Sequence, residues 1–371
     1  KQMSWHVTAN EINQWSISHS REAQGVLPKL IKKLVLATVK AKYIHFPSGD
    51  SILIGGWDGS LEVENGNEFI PNGISFWEFG TNKNINPKAE SDYKKRTDAA
   101  SDNSISYMFA TTQTWAKKSD FETAKNQENK WKEVRGINSD DLESWLLLAP
   151  SVHIWFAKLI GKRPENSLDV EQSFERWCNK TQIKLSSDLV LVSRDKEKQE
   201  LLNALENNPS KIIVISQSEQ ESFIFAISVL KVELSYSPRV LVVLSQNEWD
   251  NLIESINSLI LIPQNFAPSN IGQAINNGHF VIEAGENIQI KDDGNIKIEL
   301  SKISKEQKRK VLEEMGIDSN KTWELVDETK GFLHAIVKHR FLKPIDSPTP
   351  HWIEKYDIDI SPCVRIVVRN L

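Results

Sequence analysis

The chain of 371 residues contains only two cysteines, Cys178 and Cys363, and neither belongs to a CxxC pair. This spacing excludes a disulfide framework and argues against a structural zinc site, so a reducing compartment is expected. No apolar run approaches the roughly 20 residues that a membrane-spanning helix requires. The first residues also lack the basic head and continuous apolar stretch of a secretory signal. We therefore expect a cytoplasmic protein without a membrane partner.

Three common catalytic motifs are also missing from the sequence. The eight histidines show no HxH or HExxH spacing, which disfavours a zinc hydrolase. No GxSxG elbow accompanies the serines. The pattern GxxxxGK[ST], whose glycine amides and lysine hold nucleotide phosphates, is absent as well. NTPase activity is therefore not expected.

Composition changes near residues 165–185. Residues 1–165 carry 21 Lys and Arg against 20 Asp and Glu, whereas the rest carries 24 against 30, and nine of the twelve tryptophans lie in the first half of the chain. A chain of this length is expected to hold about two domains. We predict a first domain over 1–165, a linker over 166–182, a second domain over 183–300, and a helical module with the C-terminal segment over 301–371.

The first domain reads as a helix, several strands and an inserted helix. Apolar residues recur at helical spacing in "SREAQGVLPKLIKKLVLATV", where Ser20 is a candidate cap and the regular helix is predicted to begin at Pro28. Three segments rich in aromatic and β-branched residues predict strands, namely "YIHFPSGDSILIGG", "ISFWEFGT" and "SISYMFATTQTW". A charged surface helix, "NPKAESDYKKRTDAA", is predicted just behind Pro87.

The second domain has a different pattern of helical and apolar segments. Helical segments alternate with four short apolar runs, "SKIIVISQS", "PRVLVVLS", "SLILIPQN" and "GHFVIEAG". This alternation is typical of a parallel sheet covered by helices on both faces. Helical segments over 304–342 follow as a small module. The sequence therefore predicts an α/β protein with two sheets.

Glu78 is the residue that raises a question of chemistry. It lies inside the apolar strand "ISFWEFGT", on the same face as Ile74 and Phe76. A carboxylate in that position requires a cation, hydrogen-bond donors or a metal ion. Asp58 follows the predicted strand "SILIGG" and can converge with Glu78 if the two strands are neighbours. Two carboxylates at one sheet edge are hard oxygen ligands suited to Mg²⁺ or Mn²⁺.

A helix with an acidic residue, a strand ending in Asp and a strand with an interior Glu together resemble the PD-(D/E)xK superfamily of metal-dependent nucleases. More narrowly, "FPSGD…GGWDG…IPNGISFWEFGTN…KAESDYKKRT" resembles the N-terminal nuclease-like domain of large bacterial anti-phage defence proteins, which precedes a STAND-type NTPase-like region. The resemblance covers residues 15–160 and, more loosely, the second domain. It implies a restriction-endonuclease-like mixed sheet flanked by helices, then a degenerate P-loop-NTPase-like parallel α/β domain with a small helical lid.

The resemblance also assigns residues to the site. Asp58 and Glu78 would be ligands of Mg²⁺ or Mn²⁺, and Glu22 on the first helix would be a further acidic contributor. The superfamily's lysine, two residues after the glutamate, is replaced by Gly80. Lys88 at the start of the following helix is then the best candidate for a migrated lysine.

Other basic residues have secondary assignments. Lys83 is the next candidate for the migrated lysine. Lys94, Lys95 and Arg96 would contact phosphates, which gives affinity without sequence information. Together these assignments imply a metal-dependent endonuclease, with DNA as the expected substrate, that acts as effector of an anti-phage defence system.

Plainer interpretations stay open. Glu78 could form a structural ion pair with Lys88 or Arg96, Asp58 could belong to an ordinary Asp-Gly turn, and Glu22 could be a simple charge at a helix start. The protein could then be a catalytically inactive nuclease fold that binds nucleic acid or a protein partner as an assembly scaffold.

The expected partners follow from charge and from the ends of the chain. A net charge of −5 makes intrinsic DNA affinity modest, so a homo-oligomer or a partner defence protein is expected to add up weak basic surfaces. The chain begins at Lys and ends in the strand-like "VRIVVRNL", which indicates part of a longer protein.

Overall fold

The computed structural model describes residues 5–47, 56–162, 164–286 and 294–343. They form an α/β structure with two mixed sheets flanked by helices. The predicted α/β class is confirmed, whereas the second sheet, predicted as parallel, has one antiparallel edge strand. The chain divides into two compact units, the first formed by Lys1–Glu175 with Val190–Lys302 and the second by Arg176–Leu189 with Ile303–Leu371. Both sheets belong to the first unit, and one apolar cluster contains buried side chains of both. The domain boundaries drawn from composition stay a prediction.

The first sheet has its five strands in sequence order, β1-β2-β3-β4-β5. The first three strands pair antiparallel, whereas β3, β4 and β5 pair in parallel. The strands are β1 (Ala41–His45), β2 (Gly59–Val63), β3 (Gly73–Gly80), β4 (Ser106–Thr111) and β5 (Glu133–Ile137). The predicted strands "ISFWEFGT" and "SISYMFATTQTW" are confirmed as β3 and β4. Of the predicted strand "YIHFPSGDSILIGG", β1 covers the beginning and 48–55 lie outside the described residues.

Helices cover both faces of this sheet. Trp77 of β3 packs in the apolar cluster that contains the first helices, whereas Tyr107 and Phe109 of β4 pack with side chains of the helices that follow β3 and β4. Successive strand residues point to opposite faces, so each strand contributes to both layers. The helices are α1 (Ala9–Ser18), α2 (Ser20–Thr38), α3 (Ile85–Ala100), α4 (Lys118–Gln127), α5 (Ser139–Leu147) and α6 (Pro150–Leu159).

Helix α2 differs from its prediction. The helix begins at Ser20, with His19 as its N-cap residue, and Pro28 lies inside it. The predicted start at Pro28 is therefore wrong. Proline costs one backbone hydrogen bond within a helix, but the ring of Pro28 is buried among the apolar residues of α2. We infer that this packing offsets the lost bond.

The second sheet has the strand order β11-β7-β10-β9-β8-β6. Its strands run in parallel except β6, which pairs antiparallel with β8 at one edge. The strands are β6 (Ser167–Asp169), β7 (Lys211–Ser216), β8 (Val240–Val243), β9 (Ile260–Pro263), β10 (Phe280–Glu286) and β11 (Ile296–Glu299). The four predicted buried strands are confirmed as β7, β8, β9 and β10. The short edge strands β6 and β11 were not predicted, because neither forms a long apolar run.

Helices alternate with the strands of the second sheet, as their spacing predicts. They are α7 (Val170–Cys178), α8 (Asp188–Leu191), α9 (Asp195–Glu206), α10 (Glu219–Val232), α11 (Gln246–Leu252) and α12 (Ile271–Asn276). The second unit adds the predicted helical module, with α13 (Lys305–Glu314), α14 (Ser319–Glu328) and α15 (Leu333–Val337). Within the ranges that the structure describes, no helix is both long and apolar enough to cross a membrane.

Candidate functional site

Glu78 is buried near the end of the central strand β3, with 4% of its surface exposed. Its register partner on β4 is Phe109, and Phe76 pairs with Tyr107 one step earlier. Glu78 therefore shares the layer of Tyr107 and Phe109, which lies under α3. Trp77 points into the opposite layer, where its Nε1 donates a hydrogen bond to Ser75 Oγ at 3.0 Å.

Asp58 lies beside the end of β3. It directly precedes β2, and Gly59 is the register partner of Trp77. Asp58 Oδ2 accepts a hydrogen bond from the Phe79 backbone N–H at 2.9 Å. The fold therefore brings Asp58 and Glu78 to the same edge of the first sheet. The strand that the sequence placed before Asp58 lies mostly outside the described residues.

The two carboxylates lack full compensation of their charges. Burial and, next, the negative charge of Asp58 raise the pKa of Glu78, Arg96 opposes both effects, and the net pKa is about 7. Burial also raises the pKa of Asp58 above its ordinary value, against the hydrogen bond from Phe79. Such perturbed acids are typical of functional sites, although structural networks produce them too.

Arg96 of α3 is the cation that contacts Glu78. Its Nε donates to Glu78 Oε1 and its Nη2 to the Gly56 carbonyl oxygen. The guanidinium carbon lies 4.8 Å from the centroid of the Trp57 ring. The side chain of Arg96 is only 14% exposed. Arg96 therefore forms an ion pair with Glu78, which is one of the structural interpretations that the sequence left open.

Lys88 occupies the space beside Gly80. A Cβ placed on Gly80 would lie 3.3 Å from Lys88 Cγ and 2.8 Å from Phe109 Cζ. The side chain of Lys88 therefore passes through the region where a lysine at position 80 would begin. Lys88 Nζ pairs with Asp92 Oδ2 at 2.8 Å.

A cavity of about 430 Å³ opens beside these groups. Asp58, Lys88 and Trp57 line it on the sheet side, and Gln24 lines it from α2. Glu22 is exposed, and it is Gln24 that faces the cavity. The structure thus brings together Asp58 and Lys88 at one cavity but does not place Glu22 in its wall.

Two members of the cluster escaped the sequence reasoning. Asp92 is 7% exposed, and the hydroxyl of the fully buried Tyr107 has no hydrogen-bond partner in the described part of the chain. Burial raises the pKa of Tyr107 well above its ordinary value, and the charges of Glu78 and Asp92 add to this effect. A signal for Asp92 was available, because Lys88, Asp92 and Arg96 recur every four residues and so share one face of α3.

The remaining basic candidates lie away from the carboxylates. Lys83, Lys94 and Lys95 are exposed. Lys94 pairs with Asp98 at 2.6 Å. These side chains are free to meet solvent, and none of them lines the cavity beside Asp58.

Carboxylate oxygens are suitable ligands for a divalent cation, but the site offers few of them. Across the described ranges, no group of three or more His, Cys, Asp or Glu side chains is arranged to hold a metal ion. Mg²⁺, however, is commonly held by one or two carboxylates, with waters and substrate phosphates completing its shell. Asp58 and Glu78 are the residues that would hold it, and their raised pKa values reflect the compensation that a cation would supply.

The corresponding edge of the second sheet is closed by a buried ion pair. In the first turn of α10, just after β7, Glu221 accepts a hydrogen bond from Arg194 Nη2 at 2.7 Å. Arg194 also donates to the carbonyl oxygens of Ser301 and Val190. Ser222 Oγ donates to the Gly285 carbonyl at 2.8 Å. Each of these groups is satisfied within the protein.

Comparison of the chain with protein-family models, with curated proteins and with solved structures finds no significant match.

Proposed function

We propose that the protein is a metal-dependent endonuclease with DNA as its substrate, and that Asp58, Glu78 and Lys88 form its site. The observation that carries the proposal is the position of Lys88. Its stem occupies the space beside Gly80, at the place of the superfamily's lysine, and its side chain lines the same cavity as Asp58, with the amine paired to Asp92.

The topology of the first sheet supports the same proposal. An antiparallel β1-β2-β3 meander is followed by α3 and then by the parallel strands β4 and β5, with α2 preceding the sheet. This order suits the restriction-endonuclease-like core that the sequence resembles. In such a core the acidic pair and the basic residue meet at the end of the central strand, which is where Asp58 and Glu78 lie.

Each residue has a distinct role in the proposal. Asp58 and Glu78 would hold Mg²⁺ or Mn²⁺, which when bound activates water and stabilises charge on the phosphodiester. Lys88 would place its ammonium against a phosphate oxygen, where a fixed cation favours the developing negative charge. Arg96 must release Glu78 before Glu78 can serve as a ligand, so the present ion pair describes a resting state.

The second sheet supports a degenerate NTPase-like domain as companion. Strand β7 lies between the edge strand β11 and β10 and leads directly into α10, a strand-to-helix connection like the one at which P-loop proteins hold phosphate. Here Glu221 and Arg194 fill that region. We infer a scaffold role for this sheet within an anti-phage defence effector, which a homo-oligomer or a partner defence protein would complete.

A plasmid-nicking assay tests the proposal. We expect nicking by the wild-type chain with Mg²⁺ or Mn²⁺, none with EDTA, and a loss of about 100-fold or more in Glu78→Gln, because a ligand of the activating ion is removed. Glu64→Gln, at an exposed residue that follows β2, is the matched control and should retain full activity. Equal nicking by Glu78→Gln and Glu64→Gln would reject the assignment.

The Arg96–Glu78 ion pair favours a second candidate, a nuclease fold that binds nucleic acid or a protein partner without cutting it. In that case Arg96 replaces the metal ion permanently. Electrophoretic mobility shifts separate the two candidates when they are run beside the nicking assay. Binding of labelled duplex DNA without cleavage in any metal, by both the wild type and Arg96→Gln, would establish the second candidate.

A further inference from the structure

A second and larger cavity, of about 840 Å³, lies in the first unit away from the carboxylates. Its wall is formed by the end of α2 and the start of β1, by the end of α9, and by the loops that lead into β8 and β9. It therefore opens at the edge where the parallel strands begin, opposite the edge of the Arg194–Glu221 pair. Its volume is within the range of about 300–1,000 Å³ that is typical of small-molecule sites.

Arg239 points to the kind of ligand that this cavity would take. It lines the cavity immediately before β8, and burial lowers its pKa. Its Nε is buried without a hydrogen-bond partner among the described residues, and no described carboxylate forms an ion pair with its guanidinium. The centroid of the neighbouring Tyr236 ring lies 5.7 Å from the guanidinium carbon of Arg239. Among the described residues, this is the one aromatic ring that Arg239 contacts. Arg239 is only partly exposed, and removing a cation from water without an anion is costly.

Arg194 shows how a buried guanidinium is compensated elsewhere in the same fold. Arg194 is 2% exposed, and it donates hydrogen bonds to Glu221 and to two backbone carbonyl oxygens. The fold can therefore satisfy a buried guanidinium completely where the arginine has a structural role. Arg239, by contrast, has an Nε without a partner among the described residues, and its side chain lines a cavity of ligand size.

Other charges and polar groups around the cavity define its preference. Lys40 is exposed on the same wall and forms no ion pair with a described residue, whereas Glu206 is the opposing acidic group. The hydroxyl of Ser258 and the amide of Asn257 are already bonded to the backbone, at Gly278 and Leu148. Recognition is thus left to the two cations, beside apolar wall residues such as Leu36 and Leu205.

We propose that this cavity binds a nucleotide-sized organic phosphate, with Arg239 and Lys40 as the phosphate contacts. Planar guanidinium groups suit phosphate because two N–H donors match two of its oxygens. The volume of the cavity leaves room for an organic group beside the phosphate. The site is independent of Asp58 and Glu78 and lies at the other end of the strands from a P-loop position.

Isothermal titration calorimetry of the full chain at low salt tests this site, with AMP, ATP and inorganic phosphate as probes. We expect AMP and ATP to bind, and inorganic phosphate to bind at least about tenfold more weakly, because it lacks the organic group that fills an apolar wall. Arg239→Gln should weaken AMP binding about tenfold or more, since a charged hydrogen bond is lost. Lys40→Gln should weaken it only a few-fold, because the side chain is exposed.

Two control variants locate the site. Lys196→Gln removes an exposed lysine of α9, and Glu219→Gln alters the loop after β7 where a P-loop ligand would lie. Both should bind AMP as the wild type does. No binding of any probe at millimolar concentration, equal affinities for AMP and phosphate, or an effect of Glu219→Gln equal to that of Arg239→Gln would each overturn the proposal.

Thermal unfolding without ligand distinguishes a binding role from a structural one. Arg239→Gln removes an uncompensated charge, so its Tm should equal or exceed that of the wild type. A lower Tm together with unchanged AMP affinity would assign Arg239 a structural role and overturn the proposed site.

Discussion

Glu78 of β3 and Glu221 of α10, the helix that follows β7, are both buried carboxylates paired with an arginine, yet their surroundings differ. Glu221 faces Arg194, whose remaining donors all reach backbone carbonyls. Glu78 faces Arg96 but also the negative charges of Asp58 and Asp92, and its pKa is raised to about 7. The same chemical pair is therefore satisfied in the second sheet and left under-compensated in the first.

This difference indicates which edge is built for chemistry. A fully paired buried charge adds specificity to a fold but offers nothing to a ligand. The carboxylates of Asp58, Glu78 and Asp92 lie with Arg96 and Lys88, and the pKa of Glu78 is still raised, so a further cation would be favourable there. Variants of Arg194 and of Glu78 test this difference between the two ion pairs.

Removal of Arg194 should strongly destabilise the second sheet. Arg194→Met leaves the carboxylate of Glu221 buried without its partner, which typically costs about 3–5 kcal/mol. Urea unfolding followed by far-ultraviolet circular dichroism measures the loss. Arg135→Met, which breaks a half-exposed pair with Glu133, is the matched control and should cost less than about 1 kcal/mol. Equal losses in the two variants would mean that burial of the Arg194–Glu221 pair adds nothing to the cost of breaking it.

Glu78→Gln should have the opposite effect on stability, in a pH-dependent way. Because the folded-state pKa of Glu78 is raised from 4.5 to about 7, the folded state binds this proton more tightly than the unfolded state does. The contribution of Glu78 to stability is then fully present below pH 4.5 and is lost as pH rises to 7. The full difference is about 3 kcal/mol at about 1.4 kcal/mol per pH unit.

Thermal unfolding at two pH values measures this effect. At pH 8 the Tm of Glu78→Gln should exceed that of the wild type, whereas at pH 5 the two should be close. Mg²⁺ should raise the Tm of the wild type more at pH 8 than at pH 5, because a carboxylate ligand must be deprotonated. A lower Tm of the variant at pH 8 would show that the Arg96 ion pair outweighs the burial of Glu78.

Much of the fold was predictable because it depends on local patterns. Strands β3 and β4 of the first sheet and β7 to β10 of the second follow from short apolar runs bounded by turn residues, and they appear where the sequence places them, whereas β2 beside β3 was not predicted. The edge strands β6 and β11 were not predictable from their few apolar residues, since sheet pairing rather than local preference forms them. The interior position of Pro28 in α2 likewise depends on tertiary packing that no local rule contains.

The candidate site was predictable in part for a similar reason. An acidic residue within an apolar strand is visible in the sequence, so Glu78 could be identified. Asp58 was predicted to follow the strand "SILIGG", which lies mostly outside the described residues, and in the structure Asp58 directly precedes β2. Asp92 and Tyr107 could not be assigned from composition, because their meeting with Glu78 depends on how α3 crosses the sheet. Pairing of Arg96 with Glu78 was one of several open choices, and only the packing of α3 selects among them.

Variants of Lys88 and Lys83 test which lysine supplies the ammonium group of the proposed site. Lys88→Met keeps the stem that fills the space beside Gly80 but removes the ammonium, so cleavage should fall about 100-fold with folding retained, as expected for loss of one electrostatic contact to the reacting phosphate. Lys83→Met, at an exposed lysine outside the cavity wall, is the matched control and should lie within a few-fold of the wild type. Loss of activity in Lys83→Met but not in Lys88→Met would transfer the role to Lys83.

The exposed side of α3 should show the smallest effects. Lys95 forms no ion pair with a described residue, whereas Lys94 is paired with Asp98 at 2.6 Å. A lysine that contacts DNA phosphate adds affinity without sequence preference, and its removal lowers the dependence of log Kd on log salt by about one. In EDTA, fluorescence anisotropy with a labelled duplex should show weaker binding by a few-fold and a shallower salt dependence in Lys95→Gln. Lys94→Gln should weaken DNA binding less, because Asp98 already neutralises that charge. A larger effect of Lys94→Gln than of Lys95→Gln would show that the DNA contacts Lys94 instead.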